Sequence, residues 1–264
     1  MQYVSPQVWG SRESRAYKMA RDFDLLLTIF PFEKDWYANR LPDFPVKFVG
    51  HPLVDRYGTF QPDAGIRGER ESLLTSSIVL LPGSRAGELA RHLPVMREAL
   101  LGLKSQADLR WKVIVPNDAL AEQARAEFGG VSGGEIRSGG LAEALTQADL
   151  AIASTGTVTL ECAWFGVPTI AIYKTSWSTY EIGKRIIKVP FLAMPNILAG
   201  EALFPELIQN EATGEKIAEA TLNLLRNPAQ RQTVRGKLKK LVAWLGEPGA
   251  TERAADAIIE LLSV

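Results

Sequence analysis

From Ile78 onward the chain alternates short apolar runs with stretches of helical periodicity, and this alternation constrains the fold more than any other feature. Ile78-Val79-Leu80-Leu81 stops at Pro82-Gly83. Leu89, Leu93, Met96, Leu100 and Leu103 then recur at helical spacing, with Pro94 as a kink or restart. Further runs stand at 112–115, 136–138, 150–153 and 169–172, and helices are expected over 119–128, 141–147 and 157–165, the last closed by Gly166. Residues 129–134 are Gly-rich and read as a surface loop. Strands alternating with helices predict an α/β, Rossmann-like domain with a parallel sheet and right-handed crossovers. Such sheets bind ligands beyond the carboxyl ends of their strands, so the loops to inspect follow Leu81, Val115, Ala153 and Ile172.

The flanks read differently. Residues 1–57 carry expected strands at 3–5, 25–30 and 46–49 and helices at 11–21 and 33–40. Three strands and two helices are few for an independent core, so this piece reads as the tail end of a larger α/β domain. Residues 56–75 are polar and Gly-containing, the expected linker. The expected division is 1–57, then a complete Rossmann-like domain at 58–226, then 227–264. The last piece reads as two helices, 229–245 and 251–262, split by Gly246-Glu247-Pro248-Gly249 and packing back on the N-terminal part.

Composition narrows the function classes. Hydrophobic residues are 46% and charged residues 23%, which excludes a disordered or collagen-like chain. Thirty basic residues balance thirty acidic ones, so no global field draws in nucleic acid. Cys162 is the single cysteine and fits a reducing compartment. With it, His51 and His92 are too few for a His-rich zinc site, and no metal or other cofactor is expected. The first residues lack a signal peptide's apolar run. Residues 150–173, the least charged stretch, are interrupted by Glu161, Gly166 and Pro168, and read as buried strand, helix and strand instead of a membrane span.

Chemistry is expected at three places. In Leu81-Pro82-Gly83-Ser84-Arg85 a strand ends, a Gly admits close backbone approach, and a hydroxyl and a guanidinium follow at a helix start. Free N–H groups and the dipole there favour phosphate, and Arg85 adds a bidentate donor; the alternative is a plain βα turn with Ser84 as N-cap. In Ser154-Thr155-Gly156-Thr157-Val158-Thr159-Leu160-Glu161 the N–H groups of Gly156 and Thr157 would face an anion. Glu161 lies one helical turn past Thr157, where a carboxylate can accept from both ribose hydroxyls or simply favour a helix start. In Met194 to Gly200 and Phe204 to Gln209, Asn196 and Gln209 are loop residues that either contact a ligand or make turns. No GxxxxGK[ST], GxGxxG after a strand, or GxSxG occurs, which argues against a P-loop enzyme, a nicotinamide enzyme and a hydrolase. Basic residues cluster at Arg12, Arg15, Lys18 and Arg21, and again at Arg226, Arg231, Arg235, Lys237, Lys239 and Lys240. Lys184, Arg185 and Lys188 interleave with Trp177, Tyr180, Ile186, Ile187 and Phe191. Solvated faces and core packing account for these patterns, and attraction to anionic lipid or a phosphorylated substrate is the alternative.

In these stretches the chain resembles the lipid-A-disaccharide synthases, inverting glycosyltransferases of the GT-B type. The matching residues are Tyr3-Val4-Ser5-Pro6-Gln7-Val8-Trp9, Phe30-Pro31-Phe32-Glu33, Val49-Gly50-His51-Pro52, Leu81 to Arg85, Thr155 to Cys162, Met194 to Gly200 and Pro205 to Gln209. They stand in the family's order and span nearly the whole chain. Gly10-Ser11 depart from the family's Ala-Trp after the Val-Trp pair, and nothing corresponds to the family's earlier Gly-Glu-Ala-Ser-Gly-Asp stretch. The resemblance implies transfer of 2,3-diacylglucosamine from its UDP derivative to the 6-hydroxyl of 2,3-diacylglucosamine 1-phosphate, forming a β-1,6 disaccharide. It implies a UDP-sugar site built from Gly83, Ser84, Arg85, Thr155, Gly156, Thr157, Glu161, Asn196 and Gln209, with the general base in the N-terminal segment not found here. It also implies a cytoplasmic location with peripheral contact at the inner membrane; a homodimer stays open. The alternatives are a non-catalytic or split UDP-sugar-binding module, and another sugar-nucleotide enzyme such as a UDP-GlcNAc 2-epimerase.

Overall fold

Leu25, Leu26 and Leu27 lead into and open the second strand, and their alternating sides explain how a small sheet acquires two cores. A computed structural model describes residues 1–58, 76–106, 109–186 and 189–263. Most of the expected linker at 56–75 lies outside them. The chain divides into two units, one from residues 1–61, 182–189 and 242–264, the other from 62–181 and 190–241.

The first unit begins with β1 (Gln2–Tyr3), α1 (Ser14–Asp22), β2 (Leu26–Thr28), α2 (Pro31–Ala38), β3 (Val46–Phe48) and α3 (Pro52–Tyr57). The strands form a parallel sheet in the order β1-β2-β3. Leu26 packs on one face with Val8, Ala16, Met19, Tyr37 and Phe44. Leu25 and Leu27 face the other way and meet Val49, Ala254 and Ala257. The last two belong to the C-terminal helix at Ala250–Leu262, which therefore supplies the second layer that the first residues lack. Two polar clasps hold that helix. The Asp55 carboxylate accepts from the N–H groups of Gly249, Ala250 and Thr251 at 2.7, 3.1 and 2.9 Å. The Arg253 guanidinium donates to the carbonyls of Val49, Pro248 and Glu247 at 2.9, 2.7 and 2.7 Å.

The second unit holds β4 (Ser77–Leu81), α4 (Ala86–Lys104), β5 (Arg110–Val115), α5 (Asp118–Phe128), β6 (Gly134–Ser138), α6 (Leu141–Gln147), β7 (Leu150–Ser154), α7 (Thr157–Trp164) and β8 (Thr169–Tyr173). After α8 (Trp177–Ile186), which is divided between the units, come α9 (Met194–Ala199), β9 (Glu206–Ile208) and α10 (Gly214–Leu225). The six strands are parallel, in the order β6-β5-β4-β7-β8-β9. β4 and β7 are buried along their whole length, as strands covered on both faces must be.

Several boundaries differ from the expected ones. α4 passes through Pro94 without a restart, because residue 90, whose carbonyl loses its partner there, is exposed to water. Gly134 is strand and not loop; a Cβ there would collide with the Trp111 ring. Residues 194–199, read as loop, form a helix with Pro195 in its first turn and Gly200 in the left-handed conformation at its end. α11 (Pro228–Ala243) and α12 (Ala250–Leu262) follow the two expected C-terminal helices, but the units part at residue 242, inside α11, and not at Asn227.

Glu33 closes the first unit from inside. It caps α2 by accepting from the Phe30 N–H at 3.1 Å, and it accepts from the Trp9 indole at 3.1 Å. The side chain is buried, and burial pushes its carboxyl up to about 7. A folded-state value above the unfolded one adds stability at low pH that is lost as pH rises through about 7. Urea unfolding should show the first unit losing up to about 3 kcal/mol between pH 4.5 and 7.5. Glu33→Gln should flatten that slope; an unchanged slope would remove Glu33 as its source.

Candidate functional site

The sheet order reverses between β4 and β7, which pair in register with Leu81 opposite Ala153. Open parallel sheets accept ligands in the crevice at such a reversal. Here it brings together two glycine-opened turns, 82–85 before α4 and 155–156 before α7.

In the first turn Gly83 has φ +123°, and a Cβ there would run into the Glu88 side chain. Glu88 organises the turn: its Oε2 accepts from the Ser84 N–H at 2.9 Å and its Oε1 from Arg85 Nη1 at 3.1 Å. Arg85, not Ser84, is the N-cap residue of α4, and its side chain is 81% exposed, free to swing to a ligand at small cost. Ser84 is also exposed. In the second turn Gly156 has φ +135° and ψ −162°, a region open essentially to glycine alone. Its carbonyl accepts from the Thr159 N–H at 3.1 Å and hydroxyl at 2.6 Å, which shapes the helix start. The Thr155 N–H donates to the Ile172 carbonyl at 3.0 Å and ties the turn to β8. Gly156 and Thr157 are exposed, and Glu161 is half-buried one helical turn along.

Asn196 and Gln209 are both tied into hydrogen bonds within the fold. Asn196 is fully buried; Nδ2 donates to the Phe204 carbonyl and to Glu206 Oε1, both at 2.8 Å, and Oδ1 accepts from the Phe204 N–H at 2.8 Å. Glu206 also accepts from the N–H groups of Leu192 and Ala193, each at 2.9 Å. Gln209, at φ +51°, pairs both ends of its amide with the Thr175 backbone, at 2.7 and 3.1 Å. Both amides thus join β9 and the residues beside it to neighbouring loops.

Sequence reading missed Glu88, His92, Lys174 and Glu206. The spacing from Arg85 to Glu88 is that of a capping box and was a usable signal. His92 is buried against the Pro82 carbonyl and the Lys174 N–H, the latter 82 residues away, and no local pattern announces such a partner. Lys174 Nζ donates to the carbonyls of Gln209 and Ala212, at 3.1 Å each. Cys162 is buried, which pushes its thiol up to about 12 and keeps it protonated. Among the described residues no three His, Cys, Asp or Glu side chains gather to hold a metal ion, and no helix is long and apolar enough to cross a membrane. Ile187 and Lys188 lie outside the described residues.

Residues 1–259 match the lipid-A-disaccharide synthetase family. A lipid-A-disaccharide synthase of Geobacter metallireducens is 36% identical over 263 residues, 98% of this chain and 68% of the relative. Among solved structures, the UDP-GlcNAc 2-epimerase from Neisseria meningitidis bound to UDP-GlcNAc aligns with a TM-score of 0.60 at 10% identity, covering 97% of this chain and 67% of that one. WaaG, a glycosyltransferase involved in lipopolysaccharide biosynthesis, aligns with a TM-score of 0.51 at 15% identity, covering 88% and 62%. At these identities the two structures attest the fold alone. The parallel sheets and the likeness to such chains define part of a GT-B fold. The matches over nearly all of its length then settle the family: the chain belongs to the lipid-A-disaccharide synthetases, a family of hexosyltransferases.

The committed amide of Asn196 carries a prediction. Asn196→Asp removes both donors and sets a second carboxylate against Glu206. Denaturant titration should show a loss of about 2–4 kcal/mol. A stable variant that only binds UDP less well would restore Asn196 as a ligand contact.

Proposed function

We propose that the second unit is the UDP-sugar side of the lipid-A-disaccharide synthase reaction. The observation that carries this reading is the placement of two glycine-opened helix starts on adjacent strands at the reversal of the sheet. The diphosphate lies against the starts of α4 and α7, where unpaired N–H groups and both helix dipoles favour negative charge. Gly83, Gly156 and Thr157 supply backbone donors there, and Ser84, Thr155 and Thr157 supply hydroxyls. Arg85 swings from Glu88 to the phosphates, and Glu161 takes the ribose hydroxyls.

As the acceptor's 6-hydroxyl attacks the anomeric carbon, the bond to UDP breaks and charge grows on the diphosphate. The two helix starts and Arg85 stabilise that charge, which is where fixed dipoles lower a barrier most. Asn196 and Gln209 hold α9 and the loop after β8 in place around the donor. The acceptor, an acylated glucosamine phosphate, belongs with residues 1–57 and α12 in this reading, and the base that takes its proton is assigned to none of the described residues. Acylated substrates favour a chain working at the cytoplasmic face of the inner membrane. Trp177, 76% exposed on the helix that carries exposed Lys184 and Arg185, supports peripheral contact there.

Calorimetry tests the site. UDP should bind the chain, and Arg85→Ala and Glu161→Ala should each weaken it about 10- to 100-fold, the loss expected for a charge-assisted contact. Folded variants that bind UDP as tightly as the parent would remove the assignment.

A further inference from the structure

The His92 imidazole spans two strand ends. Its Nδ1 lies 2.7 Å from the Pro82 carbonyl, and its Nε2 accepts from the Lys174 N–H at 3.0 Å. An N–H donor at Nε2 fixes the tautomer: Nε2 is bare, and Nδ1 carries the proton that goes to Pro82. Pro82 opens the turn after β4, and Lys174 follows the last residue of β8. β7 lies between these strands, so the ring bridges over the middle strand of three. The far end of the bridge is itself anchored. Lys174 Nζ holds the Gln209 and Ala212 carbonyls, and the Gln209 amide holds Thr175. The ring is 1% exposed.

We propose that His92 is a positioning residue for the nucleotide diphosphate: as a neutral brace it sets the height of the Gly83-Ser84-Arg85 turn against the loop after β8. This rests on the UDP-sugar reading above. Only the neutral ring can do it, since a protonated imidazole has no lone pair for the Lys174 N–H. Burial lowers the ring's pKa; the Pro82 carbonyl and Glu88 favour the proton, and Lys174 and Arg91 oppose it.

The chain has two histidines, which makes the tautomer directly readable. His51 accepts from the Leu53 N–H through Nδ1 at 3.1 Å, so it carries the opposite tautomer and serves as internal reference. Nitrogen NMR of histidine-labelled chain should show one ring protonated at Nδ1, and that signal should vanish in His92→Gln. In calorimetry, His92→Ala should weaken UDP binding about tenfold, while His92→Gln, which keeps a donor and an acceptor, should recover most of it. Leu103→Val, a core change near the far end of α4, should lower stability and leave UDP affinity unchanged. The brace is overturned if the His92 proton sits on Nε2, if His92→Ala binds UDP as the parent does, or if Leu103→Val loses affinity equally. A parent chain that fails to bind UDP would instead overturn the nucleotide reading, and the brace's function with it.

Discussion

The parallel pairing of β4 with β7 is the constraint on which the site depends. These strands are far apart in sequence, and the five elements between them, α4 to α6, run out to the β5 and β6 edge and return. Where two halves of a sheet wind in opposite directions, the loops above the central pair splay apart and leave a crevice. Both strands are fully buried and each is apolar but for one serine; a one-residue slip would carry each turn off by more than 3 Å. The hydrophobic core thus fixes where the polar turns stand.

Carboxylates then do the local work of holding loops. Glu33, Asp55, Glu88 and Glu206 each accept from backbone N–H groups at the start of a helix or just before one. Carboxyl oxygens are good acceptors, and helix starts offer unpaired N–H groups in numbers. Glu88 holds the Ser84 N–H and pairs with an Arg85 side chain that stays exposed. Glu206 gathers the N–H groups of Leu192 and Ala193 and the Asn196 amide, making one unit of β9 and α9.

The first unit shows the same logic with less core. Its three strands bury a leucine on each face only because α12 covers the second one. Asp55 and Arg253 join that helix to the ends of β3 and α3 by bonds to main chain, a geometry that survives side-chain variation elsewhere on the helix.

How much of this was legible varies by residue. Apolar runs at β4, β5, β7 and β8 could be read directly, because a strand buried on both faces leaves a continuous apolar signature. α6 was legible to the residue, and the Gly83 and Gly156 turns followed from glycine placed between a strand and a helix. β9 and α9 were not, since three half-buried strand residues and a six-residue helix give too little periodicity. By itself the sequence determined the α/β class, the family and the two turns, all written in local pattern and motif. Only the tertiary structure decided that Asn196 is buried against Phe204 and Glu206, that Gln209 pairs with Thr175, and that His92 joins Pro82 to Lys174. A polar side chain takes whichever partner the fold brings within about 3 Å, and those partners come from strands distant in sequence.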